Sequence, residues 1–210
     1  IRDGFLRLGA ALPLNALTDR NDFPLLAATC RGIADRTVRN RLTLGGNLAG
    51  LLPYREAALP LLLAGATLTT LRPGRDGAPP ERRERPLRAS FDKRLLLDPG
   101  ELVLSFAVPL AATKLPWSHR RKTRTGAVDY PLVTPCMVRD GKSFRLAIAG
   151  AHPYPVRSDD ADAALTQDGR AGIPAVLEAC GLLRSDQRAT AAYRTALLAN
   201  LVRDALEELA

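Results

Sequence analysis

Apolar and polar positions follow two rhythms along the chain, and the change of rhythm predicts its elements. Phe5, Leu6, Leu8 and Ala10 form a short apolar stretch, interrupted by Gly9 and closed by Pro13, which reads as a strand ending near Leu12. Asp22 as N-cap and Pro24 just inside predict a helix over residues 24–34, with Leu25, Ala28, Cys30 and Ile33 on its apolar stripe. A helix over 55–63 and a strand over 66–71 follow, and residues 72–84, rich in Pro, Gly and charge, read as an exposed hairpin loop. Asp98-Pro99-Gly100 signals a turn. Residues 101–108 then alternate, which predicts a strand turning Leu102, Leu104, Phe106 and Val108 to one face. Residues 132–138 and 143–149 read as a hairpin about Arg139-Asp140-Gly141-Lys142. After Pro155 the period becomes helical, over 158–167, 173–183 and 189–209. The order predicts an α+β chain of two small domains, residues 1–94 and 95–210, joined near 91–98.

Composition narrows the classes. With 46% apolar and 25% charged residues the chain has the material for a core, which excludes a disordered protein. The longest apolar near-run, 57–66, falls short of the ~18 residues that span a bilayer, and no leader pattern is visible. Ile1 is not an initiator, so further residues are expected ahead of it. Cys30, Cys136 and Cys180 are scattered without a CxxC pair, which argues against a disulfide scaffold, a zinc ribbon or an iron–sulfur cluster on this chain. His119 and His152 form no metal-ligand pattern. The net charge is +8, and half of the excess lies in 72–94, with a second basic cluster over 119–124. Such clusters fit nucleic acid, an anionic cofactor, an acidic partner subunit or a solvated face. No aromatic residue interleaves with the charged part of 72–90, which disfavours base stacking.

Residues 38–50, Val-Arg-Asn-Arg-Leu-Thr-Leu-Gly-Gly-Asn-Leu-Ala-Gly, are the most distinctive segment. Paired glycines permit φ > 0 and close approach to the backbone, and successive exposed N–H groups can form an anion nest. On these residues alone, a phosphate cradle and an ordinary tight turn both fit.

Taken together, five stretches resemble the FAD-binding medium subunit of molybdenum hydroxylases, the xanthine dehydrogenase and carbon monoxide dehydrogenase family. They are residues 3–10, 38–49, 99–103 with Val108-Pro109, 124–133, and Tyr193-Arg194. The resemblance implies the second part of a PCMH-type FAD-binding domain, followed by a C-terminal domain with an antiparallel sheet and helices. It implies that Thr43, Leu44, Gly45, Gly46 and Asn47 lie against the FAD pyrophosphate, with Ala49 packed by the cofactor. The family's Pro-x-x-Asp reads Pro53-Tyr54-Arg55-Glu56 here, which puts Glu56 in the carboxylate's place. Leu104 is implied as a flavin or adenine contact. Arg121 or Lys122 stands for a basic contact, with Lys122 the candidate, and Asp129 and Tyr130 line the nicotinamide side of the flavin. The family's first subdomain carries another glycine-rich loop, which nothing in this chain matches. The implied activity is electron transfer. Electrons come from molybdopterin on a large subunit across [2Fe–2S] clusters on a small one, and leave for NAD+ or another acceptor. The implied setting is a cytoplasmic heterotrimer or dimer of heterotrimers, with neither nucleic acid nor a membrane span. The alternative is a flavin-less structural subunit of such a complex.

Overall fold

A computed structural model describes residues 1–74, 78–126 and 128–210. Arg75, Asp76 and Gly77 of the expected exposed loop, and Ala127 of the stretch 124–133, lie outside the described residues. The chain begins with β1 (Phe5–Gly9), α1 (Leu14–Arg20), α2 (Pro24–Arg31), α3 (Arg36–Arg39), α4 (Leu44–Ala49) and α5 (Ala58–Leu63). Strands β2 (Thr67–Arg72), β3 (Glu81–Pro86), β4 (Phe91–Asp92), β5 (Arg94–Leu95) and β6 (Leu102–Pro109) follow. Next come β7 (Trp117–His119), β8 (Lys122–Thr123), β9 (Pro131–Asp140), β10 (Ser143–Ala149) and β11 (Val156–Arg157). Helices α6 (Asp159–Asp168), α7 (Ile173–Cys180) and α8 (Ala191–Leu209) end the chain.

Two antiparallel sheets organise these elements. The first has the order β1-β6-β2-β3. The second has the order β11-β10-β9-β7, with β8 also on β9. The second sheet is covered on both faces. From β9 and β10, Cys136, Val138, Ala147 and Ala149 join one core with the residues of α2 and α5. Val133, Met137, Leu146 and Ile148, at the alternate positions, join the other core with α6, α7 and α8. Double coverage explains why residues 131–138 are buried without alternation. The β9–β10 hairpin closes over two residues with Gly141 at φ +60°, which suits a glycine at the first central position.

Several expectations shift. The strand expected to end near Leu12 stops at Gly9, and the 24–34 helix stops at Arg31. Its N-cap is Phe23, with no capping side chain, instead of Asp22. Helix α1, with no side-chain cap, gave no start signal and was not expected; its buried Asn15 donates to Arg36 O and Asn40 Oδ1 and so anchors α3. Strand β3 lay hidden in the charged loop because it is a sheet edge of Glu and Arg, composition that discourages further pairing.

Strand β6 departs most from its pattern. Phe106 and Val108 are buried, but Leu102 is 64% exposed and Leu104 40%. Thr69 pairs with Ser105 while Thr70 pairs with Val103, so Leu104 is the extra residue of a bulge. One extra residue reverses the face of everything before it, which is why Val103 packs on the core in place of its neighbours.

His119 on β7 lies opposite Cys136, with its Nε2 buried and unpartnered. Burial, reinforced by the charge of Arg121, lowers its pKa from 6.5 to about 4. The unfolded chain therefore takes up a proton below pH 6.5 that the folded chain refuses until about pH 4, so stability falls across that window as pH falls. A displacement of this size corresponds to about 3 kcal/mol. Urea denaturation from pH 7 to pH 4 should show the wild type losing about that much more stability than His119→Gln.

Candidate functional site

The segment 43–50 is not a tight turn. Thr43 N-caps α4, its hydroxyl accepting from Gly46 N–H at 3.1 Å, and Gly-Gly-Asn forms the first turn of that helix. Neither glycine adopts the left-handed region. Gly45 is required for close approach instead: a Cβ there would stand 2.7 Å from Ala10 Cβ. Its N–H donates to Ala10 O at 2.8 Å, and Leu44 N–H donates to Leu12 O at 2.9 Å. The first two N–H groups of α4 are thus spent on the β1 side.

Beyond Thr43 opens a cavity of about 660 Å³, within the range of small-molecule sites. Its wall draws on two distant parts of the chain. Thr43, Gly46, Asn47, Tyr54, Arg55 and Glu56 come from α4 and the link to α5, and Arg121, Val128, Asp129 and Tyr130 from the arm between β7 and β9. Asp35, Val38 and Arg41 complete one side. Of the residues implied by the family resemblance, Thr43, Gly46, Asn47, Glu56, Asp129 and Tyr130 meet here. Leu44 is fully buried in the core beneath, and Gly45 faces Ala10. Ala49 opens onto a separate groove beside Arg85 and Arg94. Leu104 sits at the β6 bulge, and Lys122 is exposed on β8, away from the wall that Arg121 occupies.

A buried ion pair joins the two halves of the wall. Glu56, 3% exposed, accepts from Arg121 Nε at 3.0 Å and from the Thr134 hydroxyl at 2.7 Å. Burial raises the Glu56 pKa, opposed by the charge and hydrogen bonds of Arg121 and by the Thr134 hydroxyl. Arg121 also donates to Asp129 O at 2.6 Å, which fixes the arm. Its side chain crosses Gly32 so closely that a Cβ there would meet Arg121 Cδ at 2.8 Å.

Asp129 is held from several sides. Arg188 donates to its Oδ1 at 2.7 Å, and the Arg124 and Thr125 N–H groups and the Thr125 hydroxyl donate to Oδ2. The Arg188 hydrogen bond, with these donors, holds its carboxyl well below the usual range. Beside it Tyr130 stacks on Tyr54 with ring centroids 4.6 Å apart and planes 17° from parallel. Arg184 lies over Tyr54 at 5.7 Å and Arg188 over Tyr130 at 5.8 Å. The stacked tyrosines, each with an arginine over its ring, thus form a packed aromatic and cationic cluster at the cavity wall.

Sequence reasoning passed over Tyr54 and Arg55, because they stood at the variable positions of a Pro-x-x-acid pattern. Arg55 is 4% exposed. Its Nη2 donates to Lys93 O and its guanidinium lies 5.3 Å from the Phe91 ring centroid, but Nε and Nη1 are buried without a partner. An FAD molecule needs room, apolar surface for its ring system and cationic donors for its pyrophosphate. The cavity volume, the exposed apolar side chains of Val38, Leu52 and Val128 on its wall and the exposed Arg41 meet these needs, so the residues present fit the cofactor. No group of three or more His, Cys, Asp or Glu able to hold a metal occurs among the described residues, and no described helix is long and apolar enough to cross a membrane.

Comparison with known proteins agrees with this geometry. Residues 2–111 match the family described as "FAD binding domain in molybdopterin dehydrogenase". The carbon monoxide dehydrogenase medium chain of Hydrogenophaga pseudoflava is 27% identical over 225 residues, which covers 97% of this chain and 76% of that one. A solved structure of carbon monoxide dehydrogenase from Hydrogenophaga pseudoflava, lacking the Mo-pyranopterin moiety of the molybdenum cofactor, superposes with a TM-score of 0.82 at 27% identity. That alignment covers 99% of this chain and 76% of its counterpart. Quinoline 2-oxidoreductase from Pseudomonas putida 86 shares the fold, with a TM-score of 0.76 at 23% identity over 99% of this chain and 75% of that one.

The ion pair makes a measurable demand. Arg121→Met strands a buried carboxylate and should cost about 3–5 kcal/mol in urea denaturation, more than Glu56→Gln. Gly32→Ala should cost about 1–3 kcal/mol by crowding Arg121, and much less in the Arg121→Met background.

Proposed function

Since the chain belongs to the family of FAD-binding domains in molybdopterin dehydrogenases, we propose that the cavity beside α4 is its FAD site and that the chain relays electrons within a molybdenum hydroxylase complex. The observation that supports this most is convergence: residues 43–56 and 121–130, resembling the family separately, line one cavity. Bound there, FAD supplies the redox chemistry. The chain's own part is to bind and orient. Val38, Leu52 and Val128 offer exposed apolar surface to a ring system, and the Thr43 hydroxyl and Asn47 side chain offer polar contacts. Arg121, held by Glu56, keeps the two walls at a fixed separation. The cavity wall needs no general acid, base or nucleophile for this task.

In this reading molybdopterin sits on a large partner subunit and [2Fe–2S] clusters on a small one. The assembly is a heterotrimer or its dimer, the cell compartment is the cytoplasm, and the final acceptor is external, such as NAD+. The names of the relatives support the multi-subunit setting, since one of them is a medium chain. A second reading, a flavin-less structural subunit, draws on the N–H groups of Leu44 and Gly45 being spent on Leu12 and Ala10.

The visible spectrum of the intact complex, followed by denaturation and identification of any released flavin, separates the two. FAD recovered at about one per copy of this chain is the expected result. Iron–sulfur absorbance with no flavin would overturn the electron-relay reading in favour of the scaffold.

A further inference from the structure

The arm that brings Val128, Asp129 and Tyr130 to the cavity wall is not fixed by a core. Val128 is 65% exposed and Tyr130 53%, and the arm's other described residues, from Thr123 to Gly126, are polar or glycine. A segment that buries no apolar side chain must take its position from hydrogen bonds, or it samples many positions. Here the bonds converge on one carboxylate. Asp129 Oδ2 accepts from Arg124 N–H at 3.2 Å, from Thr125 N–H at 3.1 Å and from the Thr125 hydroxyl at 3.0 Å. Its Oδ1 accepts from Tyr130 N–H and from Arg188 Nη2, each at 2.7 Å. A carboxylate offers about four lone-pair directions, and these donors use them up. The side chain is 12% exposed. Its acceptor capacity is spent inside the wall, with none left over for a ligand in the cavity.

Arg188 stands behind that wall, outside the residues that line the cavity. Its Nη2 donates to Asp129 Oδ1 and to Tyr130 O, each at 2.7 Å, and its guanidinium lies 5.8 Å from the Tyr130 ring centroid. One planar group thus fixes the acid together with the backbone and ring of the next residue. Arg188 is fixed in turn. Its N–H and that of Ala189 donate to Asp186 Oδ1, at 2.9 and 3.1 Å, and the buried Arg194 donates to the same oxygen. Arg124 Nη1 adds a second tie, from the arm to Gln187 O at 2.9 Å. The hydrogen bond between Asp129 and Arg188 lowers the acid's pKa and raises the arginine's, so each keeps the other ionised.

We propose that Arg188 is a positioning residue of the cavity, acting on a bound ligand through Asp129 and Tyr130, and that Asp129 is the catch it holds and makes no contact with the ligand. The family resemblance sets Asp129 beside the flavin; its bonding gives it the task of holding the wall instead. The inference rests on the FAD reading for the identity of the ligand, while the hold on the arm can be read without one.

The test uses the full chain as wild type, Arg188→Met, Asp129→Asn, the double variant and Arg188→Lys, with FAD as the probe. Affinity comes from fluorescence quenching, and the setting of the ring system from the visible circular dichroism of bound flavin. Each single variant should lose about tenfold in FAD affinity and show the same altered dichroism. The double variant should lose no more than either single one, because both cut the same tie. Arg188→Lys keeps the charge and should recover part of the affinity. Val176→Ala, in the core under α6 to α8, should lower the melting temperature with FAD affinity unchanged. Hydrogen exchange at the Arg124, Thr125 and Tyr130 amides should quicken equally in Arg188→Met and Asp129→Asn, with or without FAD. Losses that add in the double variant would reveal a direct Asp129 contact and overturn the proposal. Wild-type affinity in Arg188→Met, or an equal loss in Val176→Ala, would overturn it too. A wild type that binds no FAD, with exchange quickened in both variants, would sustain the hold on the arm while removing the FAD reading. FAD bound alike by every form, with exchange unaltered, would do the reverse.

Discussion

The Glu56–Arg121 ion pair is the constraint on which the site depends. It is buried, with side chains 3% and 11% exposed, and it draws together parts of the chain 65 residues apart. Taking two charges out of water is costly, so such a pair is weak support for stability but strong support for geometry. Its neighbours are arranged to make only one geometry workable. Gly32 leaves a path for the arginine, Thr134 adds a hydrogen bond to the acid, and Asp129 O accepts from the same guanidinium. The cavity is the space left between walls that this pair holds at a set distance.

A second polar network anchors the arm from the other side. Arg194, fully buried on α8, donates to Leu132 O and Gly150 O at the ends of β9 and β10 and to Asp186. Asp186 also accepts from Arg184 and from the N–H groups of Arg188 and Ala189. Arg188 then reaches Asp129 and Tyr130 O. The C-terminal helix, remote in sequence, thereby orients the aromatic cluster at the cavity wall. This gives Tyr193-Arg194, a motif that resembles the family's terminal helix signature, a physical task.

Local chemistry was legible in the sequence wherever one residue type had one use. Ser158 caps α6 and Gly141 turns the hairpin, and both act as their residue types suggest. Helices α6 and α8 lie within about two residues of the expected positions. What periodicity could not convey was anything set by a partner element. The bulge at Leu104 depends on pairing with β2, α1 depends on packing and not on a cap, and the spent N–H groups of α4 depend on β1. Arg55 was illegible for the same reason: an arginine in a sequence is a surface residue until its surroundings are known.

The sheet of β9 and β10 lends alternate residues to two cores, so neither core owns it. Losing the helices α6 to α8 would bare one face of strands whose other face supports α2 and α5. Damage to either half would therefore be felt in the other, and the chain would melt as a single cooperative unit rather than as two modules that come apart in turn.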